Sequence, residues 1–107
     1  MCNTIILRQG FSVEIAEIDW SDADIEHIAR HGVSPDEVEE VIALGPVWRR
    51  GRKHRMTGRT SLYALGQTEG GRYLFVVLSP RGGGRARCIT AMDMDPATRA
   101  FYTRHRR

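Results

Sequence analysis

The stretch Tyr73-Leu-Phe-Val-Val-Leu78 is the longest apolar run of this 107-residue chain. The run is apolar at consecutive positions rather than at alternate ones, which is typical of a strand with both faces covered. It is far shorter than the roughly 20 residues that a membrane-spanning helix needs. The run therefore predicts the central strand of a sheet, and no membrane span is expected.

Segments with period-two patterning and glycine-rich turns surround this strand. They are a short strand at Val47–Arg50, a basic loop at Gly51–Gly58, a strand at Thr60–Leu65, a turn at Gln67–Gly71, a hairpin loop at Pro80–Gly84 and a strand at Arg87–Met92. Because the connections are short, this half of the chain is expected to form an antiparallel meander.

Helix signals precede and follow the meander. Ser34, Pro35 and Glu37 place a cap, a first-turn proline and a capping-box acid in register, and Gly45-Pro46 ends that helix. Ser21 caps a helix predicted over Asp22–Arg30, whose first turn is acidic. Asp95-Pro96 begins a third helix.

The order of elements predicts an α+β fold in a single domain that spans residues 1–107. A half-buried strand is expected over Phe11–Ile18, followed by two helices, the antiparallel meander and the closing helix. Residues 1–10 are expected to be a loose extension. Cys2 and Cys88 are expected to be free thiols, with Cys88 in the core. The start of the chain lacks a signal-peptide pattern, so a cytoplasmic protein is expected.

The charged residues are divided between the two halves of the sequence. Residues 1–46 contain two basic and ten acidic residues, a net charge of −8, whereas residues 47–107 contain fourteen basic and three acidic residues, a net charge of +11. A strongly basic half is typical of a surface that binds phosphate, and nucleic acid is the expected ligand. Because the acids fall on the helices, the segregation is expected to become one between two layers.

The densest basic segment contains six cations and no acid. These are Arg49, Arg50, Arg52, Lys53, Arg55 and Arg59. Arginine pairs phosphate oxygens with a planar fork, and Gly51 and Gly58 let the backbone approach a ligand. The alternatives are a solvated loop or a surface for an acidic partner.

Two groups of histidines need separate interpretation. His54 lies among the cations, where a neutral imidazole could accept a proton, although an exposed histidine without a role is an equal alternative. His27 and His31 are four residues apart, a spacing compatible with metal ligands. Ordinary packing or capping is favoured for them, because no third ligand is marked, and neither a metal nor a cofactor is expected.

Several segments of the sequence are informative when their order and spacing are taken together. They are Ile18-Asp19-Trp20, the run 24–33, Gly71–Leu74 with Val76-Val77, Arg87–Ala91, and Arg99 with Tyr102 in the last helix. In this order and spacing, over residues 18–102, they resemble the BrnT toxins, which are RelE-like members of type II toxin–antitoxin modules. The resemblance implies a RelE-like ribonuclease fold, with two helices against an antiparallel sheet whose basic side faces RNA.

The resemblance also implies an activity and partners. The activity would be metal-independent endoribonuclease cleavage of mRNA, in which a ribose 2′-hydroxyl attacks the adjacent phosphate. The partners would be RNA and a cognate antitoxin, commonly a ribbon-helix-helix protein, and a homodimer or a toxin–antitoxin hetero-oligomer is compatible with it. Met92 stands where the family has an arginine, so a catalytically degenerate relative that binds RNA or an antitoxin is the alternative.

For this activity two sets of residues are expected at the site. The expected catalytic residues are His54 or Lys53 as base or acid, with Arg59 and Arg87 stabilising the phosphate. The further residues expected to bind RNA phosphate are Arg49, Arg50, Arg52, Arg55, Arg72, Arg81, Arg85, Arg99 and Tyr102.

Overall fold

A computed structural model describes residues 3–6 and 12–106, with side chains from Ile15 to Arg106. Its elements, in chain order, are β1 (Asn3–Ile6), β2 (Ser12–Ile15), β3 (Glu17–Asp19), α1 (Asp22–Ala29), α2 (Pro35–Ala43), β4 (Val47–Lys53), β5 (Thr60–Gln67), β6 (Tyr73–Gly82), β7 (Arg85–Asp93) and α3 (Pro96–His105). The predicted α+β class is confirmed. No helix of the described residues is long and apolar enough to cross a membrane.

The main sheet has five strands in the order β3-β7-β6-β5-β4. Strands β4 to β7 form an antiparallel meander, as predicted, and β3 adds to β7 in parallel. The apolar run 73–78 therefore lies in the central strand, β6. This placement gives β6 a hydrogen-bonded neighbour on each side.

The N-terminal segment differs from its prediction. Asn3–Ile6, expected within a loose extension, pair antiparallel with Ser12–Ile15, and the β-branched residues of this segment favour a strand. The strand predicted over Phe11–Ile18 is divided, because the amides of Ala16 and Glu17 both donate to the carbonyl of Gly84. Phe11, Cys2 and the rest of residues 1–10 lie outside the described residues.

The three helices begin where their capping residues predict. Ser21 Oγ accepts from the Asp24 amide at 3.1 Å, and Asp95 Oδ1 accepts from the Thr98 amide at 2.7 Å. At α2, Ser34 and Glu37 form a reciprocal capping box with Pro35 in the first turn. Each cap satisfies helix amides that have no partner within the helix.

The side chains of β6 alternate between the two faces of the sheet. Leu74, Val76 and Leu78 are fully buried in the core that α1 and α2 cover, whereas Tyr73, Phe75 and Val77 are half-buried on the opposite face. Cys88 lies in the core as predicted, where burial raises the pKa of its thiol to about 12 and leaves the thiol unreactive.

The opposite face is covered at one end by α3. The Tyr102 and Tyr73 ring centroids lie 5.9 Å apart, and the Arg99 guanidinium sits 3.8 Å from the Tyr73 centroid. On β4, the Arg49 guanidinium lies 4.2 Å from the Phe101 centroid. Cationic and aromatic contacts therefore attach α3 to the sheet.

Arg72 connects the helix layer to the sheet. Its guanidinium donates to Asp93 at 2.8 Å, to Glu37 at 3.2 Å and to the Gly32 carbonyl at 2.7 Å. A further bond reaches the carbonyl of His31 at 3.3 Å. One side chain thus joins the end of β7, the start of α2 and the turn between the helices.

Arg72→Ala is expected to lower the free energy of unfolding by about 2 kcal/mol, because charge-assisted bonds disappear and carbonyls at the helix–helix turn lose their donor. Urea unfolding at neutral pH measures the change. The matched control is Arg104→Ala, which removes an exposed arginine of α3. Equal losses in the two variants would show that Arg72 does not hold the layers together.

Candidate nucleic-acid interface

The candidate interface is the segment of residues 49–59, here called the basic hairpin, which contains the end of β4 and the turn into β5. The pairing of β4 with β5 runs from Val47 opposite Leu65 to Lys53 opposite Thr60, with a register shift between Arg50 and Lys53. The shift adds one residue to β4, so Lys53 takes the position opposite Thr60 that Arg52 would otherwise occupy. Two cations, Arg50 and Lys53, then line the same depression.

That depression lies beyond the helix layer at the end of the sheet. Arg50, Lys53 and Arg59 line it together with Gly58, Thr60, Leu62 and Pro80, and its volume is about 370 Å³. Arg59 Nη1 donates to the Pro80 carbonyl at 3.3 Å, which fixes the guanidinium at the rim. The structure thus brings together Lys53 and Arg59, two of the predicted catalytic residues.

Four cations of the basic hairpin have no carboxylate partner in the part of the chain that the structure describes. Among the described residues, no carboxylate lies within salt-bridge distance of Arg52, Lys53, Arg55 or Arg59. Neighbouring like charges repel one another, and a bound polyanion relieves that repulsion. The basic hairpin is therefore suited to a phosphate-bearing ligand.

His54 is held by the turn in a way that limits its chemistry. Its Nδ1 accepts from the amides of Met56 at 3.2 Å and Thr57 at 3.3 Å. Because amides only donate, Nδ1 carries the lone pair and the neutral ring carries its proton on Nε2. His54 can therefore donate a hydrogen bond to a ligand, but the expected proton-accepting role requires these bonds to break.

Several other predicted phosphate ligands are bound within the protein instead. Arg85 pairs with Asp19 and Glu17, Arg87 pairs with Asp24, and Arg72 holds the layers together. Arg49 and Arg99 lie over aromatic rings of the α3 contact, and Tyr102 is only 8% exposed within it. These residues are placed apart from the depression and have structural partners.

The pair formed by Arg87 and Asp24 is bidentate. Arg87 Nε lies 2.8 Å from Asp24 Oδ2, and Nη2 lies 2.9 Å from Oδ1. Asp24 is only 4% exposed, and the hydrogen bond from Arg87 lowers the pKa of its carboxyl. Arg81 shares the neighbouring surface and is exposed, without a carboxylate at salt-bridge distance among the described residues.

The two helix histidines have ordinary contacts. His27 and His31 have ring centroids 5.5 Å apart, and His27 Nε2 lies 3.1 Å from Thr90 Oγ1. Within the ranges 3–6 and 12–106, no cluster of three histidine, cysteine or acidic residues is arranged to hold a metal ion.

Tyr63 is outside the expected site residues, because packing in the core is commoner for a tyrosine than stacking on a base, although the sequence is compatible with either. Strand β5 carries this tyrosine on the face opposite the helices, next to the basic hairpin: a Cβ placed on Gly51 would lie 2.5 Å from Tyr63 Cε1. The signal available in the sequence was a glycine inside a basic strand, which marks a close approach of another group.

Neither a protein-family model nor a curated protein matches this chain.

Arg87→Ala is expected to lower the free energy of unfolding at neutral pH by about 2 kcal/mol, because it leaves the buried Asp24 carboxylate without its partner. Arg81→Ala, on the same surface, is the control and should change stability by less than about 0.5 kcal/mol. Urea unfolding of both variants tests this. If Arg87→Ala is as stable as Arg81→Ala, the pair does not contribute to the fold.

The pair also predicts a pH dependence. Because the pKa of Asp24 is lower in the folded state than its ordinary value, its contribution to stability is complete at neutral pH and is lost as the pH falls through the folded pKa. Asp24→Asn should therefore be less stable than the wild type at pH 7, and the difference should shrink between about pH 5 and pH 2. Asp22→Asn, an exposed carboxylate of the same turn, is the control. A difference that is constant over this range would contradict the assignment.

Proposed function

We propose that the chain is the toxin component of a type II toxin–antitoxin module, similar to the BrnT toxins, and that it is a metal-independent endoribonuclease acting on mRNA in the cytoplasm. One observation carries the proposal: Lys53 and Arg59, which have no carboxylate within salt-bridge distance among the described residues, line a depression of about 370 Å³ at the basic hairpin. The arrangement of two helices against an antiparallel meander supports it, because the resemblance implies the same layout.

The proposed reaction needs no group beyond RNA and these side chains. The ribose 2′-hydroxyl attacks the adjacent phosphorus, the bond to the 5′-oxygen breaks, and a 2′,3′-cyclic phosphate and a 5′-hydroxyl form. The Lys53 ammonium donates a proton to the leaving 5′-oxygen, and solvent takes the proton of the 2′-hydroxyl. Arg59 and the Nε2–H group of His54 stabilise the charge on the phosphate oxygens.

The proposal assigns a smaller site than the sequence analysis expected. Arg50, Arg52 and Arg55 extend the surface along which an RNA backbone lies. Arg72 and Arg87 are left out, because each already holds carboxylates of the helix layer or the sheet end. The cognate antitoxin, proposed to be a ribbon-helix-helix protein, would cover the basic hairpin with an acidic segment.

A second candidate function is RNA or antitoxin binding without cleavage. The bonds that His54 Nδ1 accepts favour it, because they leave the hairpin without a free imidazole lone pair as general base. Met92 also supports it: the residue lies opposite Phe75 on the sheet, at the position where the BrnT family has an arginine.

Lys53→Ala and Arg59→Ala are expected to reduce cleavage of mRNA by the purified protein by at least about 100-fold, because each removes charge stabilisation or the proton donor for the leaving group. The measurement is the rate of fragment formation, with the 2′,3′-cyclic phosphate end identified by mass spectrometry. Arg104→Ala, an exposed arginine outside the hairpin, is the control and should cleave normally.

The alternatives give different results in the same assay. If the protein binds RNA in a salt-dependent way and forms no fragments, and if its affinity is the same for fresh RNA and for RNA incubated with the protein, the function is binding without cleavage. If expression of the protein arrests growth and co-expression of the neighbouring gene relieves the arrest, the toxin assignment is supported. Absence of both RNA binding and growth arrest would reject the toxin assignment and leave the basic hairpin as a surface for an acidic protein.

A further inference from the structure

Tyr63 lies on the opposite face of the sheet from the core, beside the strand that carries the cations. Its neighbours Leu62 and Ala64 are buried in the helix-covered core, so the alternation of β5 directs Tyr63 to the other face. Across the strands it is paired with Arg49 on β4 and Val77 on β6. Tyr63 is half-buried there, so part of the residue reaches solvent.

Gly51 makes room for this ring. A Cβ at Gly51 would lie 2.5 Å from Tyr63 Cε1, 2.8 Å from Cζ and 3.0 Å from Cδ1, distances that a real side chain does not allow. The ring therefore occupies the space above the backbone of β4. Since Gly51 lies between Arg50 and Arg52 in β4, the ring lies over the basic hairpin, on the face opposite the depression that Arg50 and Lys53 line.

Phe75 is a second contact of the ring. The Phe75 and Tyr63 centroids are 4.9 Å apart and their planes meet at 72°, an edge-to-face contact. Because it is in contact with the backbone at Gly51 and with the Phe75 ring, Tyr63 is ordered before a ligand arrives. An ordered ring loses little conformational entropy on binding.

We propose that Tyr63 is a stacking platform for a nucleobase of single-stranded RNA, whose backbone follows the cations of the basic hairpin. This inference rests on the proposed function and adds the part of the ligand that the ring recognises. The combination of a cationic track with an exposed aromatic ring is how proteins hold single strands, because every base has a π-face. Double-stranded RNA keeps its bases stacked inside the helix and cannot use such a platform.

The test compares two oligomers of equal length and charge, a single-stranded RNA and the same ribose-phosphate chain without bases. Their dissociation constants are measured by fluorescence anisotropy at several salt concentrations. The wild type should bind the RNA at least about tenfold more tightly than the abasic chain, a value typical of one stacked base. Within one variant this ratio is independent of the fraction of protein that is folded.

Variants of Tyr63 test whether its ring is what distinguishes the RNA from the abasic chain. Tyr63→Leu should reduce the ratio to near one, and Tyr63→Phe should retain it, because stacking needs the ring and not the hydroxyl. Tyr73→Leu is the matched control: Tyr73 lies on the same face, but Arg99 covers its ring, so the ratio should not change. Photo-cross-linking of an RNA that carries 5-bromouridine, followed by peptide mapping, should identify Tyr63 in the unaltered protein.

Each other result has a defined meaning. Equal, salt-dependent binding of both oligomers would overturn the platform and leave the RNA-binding function standing. A ratio that survives in Tyr63→Leu, with cross-links elsewhere, would also overturn it. Absence of salt-dependent binding to either oligomer would overturn both this inference and the proposed RNA function.

Discussion

Ion pairs between the acidic and basic halves of the sequence hold this fold together. Arg72 binds Glu37 of α2, Arg87 binds Asp24 of α1, and Arg85 binds Glu17 and Asp19 of β3. Each acid comes from the first 46 residues and each arginine from the meander. The pairs therefore attach the helices and β3 to β7 and to the start of β6.

This use of charge determines where a ligand can bind. Three arginines that look available in the sequence are satisfied by carboxylates, and replacing those partners with phosphate would leave buried or half-buried acids such as Asp24 unpaired. In the basic hairpin, Arg52, Lys53, Arg55 and Arg59 have no carboxylate within salt-bridge distance among the described residues. The cationic character of the chain is thus concentrated at one end of the sheet, where repulsion between neighbouring cations is tolerated and a polyanion can remove it.

The sequence predicted the elements better than the site. Helix caps and turns form between residues that are close in sequence, so a local pattern was sufficient to predict them. Examples are the cap of Ser34 with Glu37 and the turn after Gly82. The pairing of Arg87 with Asp24 joins residues 63 positions apart, and no local pattern encodes it. The strand at Asn3–Ile6 was missed for the same reason, since a short segment becomes a strand only when Ser12–Ile15 pairs with it. The segregation of charge in the sequence does become one between two layers for Asp24 and Glu37, which lie on helices and pair with arginines of the sheet. Glu17 and Asp19 are exceptions, because β3 belongs to the sheet.

The register shift in β4 links the fold to the candidate site. An extra residue between Arg50 and Lys53 turns Lys53 toward the depression that Arg50 and Arg59 line. Before the shift, Arg49 and Gly51 remain on the other face, where Gly51 lies beneath Tyr63. One irregular strand thereby presents cations on one side of the sheet and supports an aromatic ring on the other. The RNA strand that we propose would pass around β4, the edge strand of the described sheet, to bring its phosphates near Lys53 and a base onto Tyr63. A regular strand would instead direct Arg52 to the depression and leave Lys53 on the side of the ring.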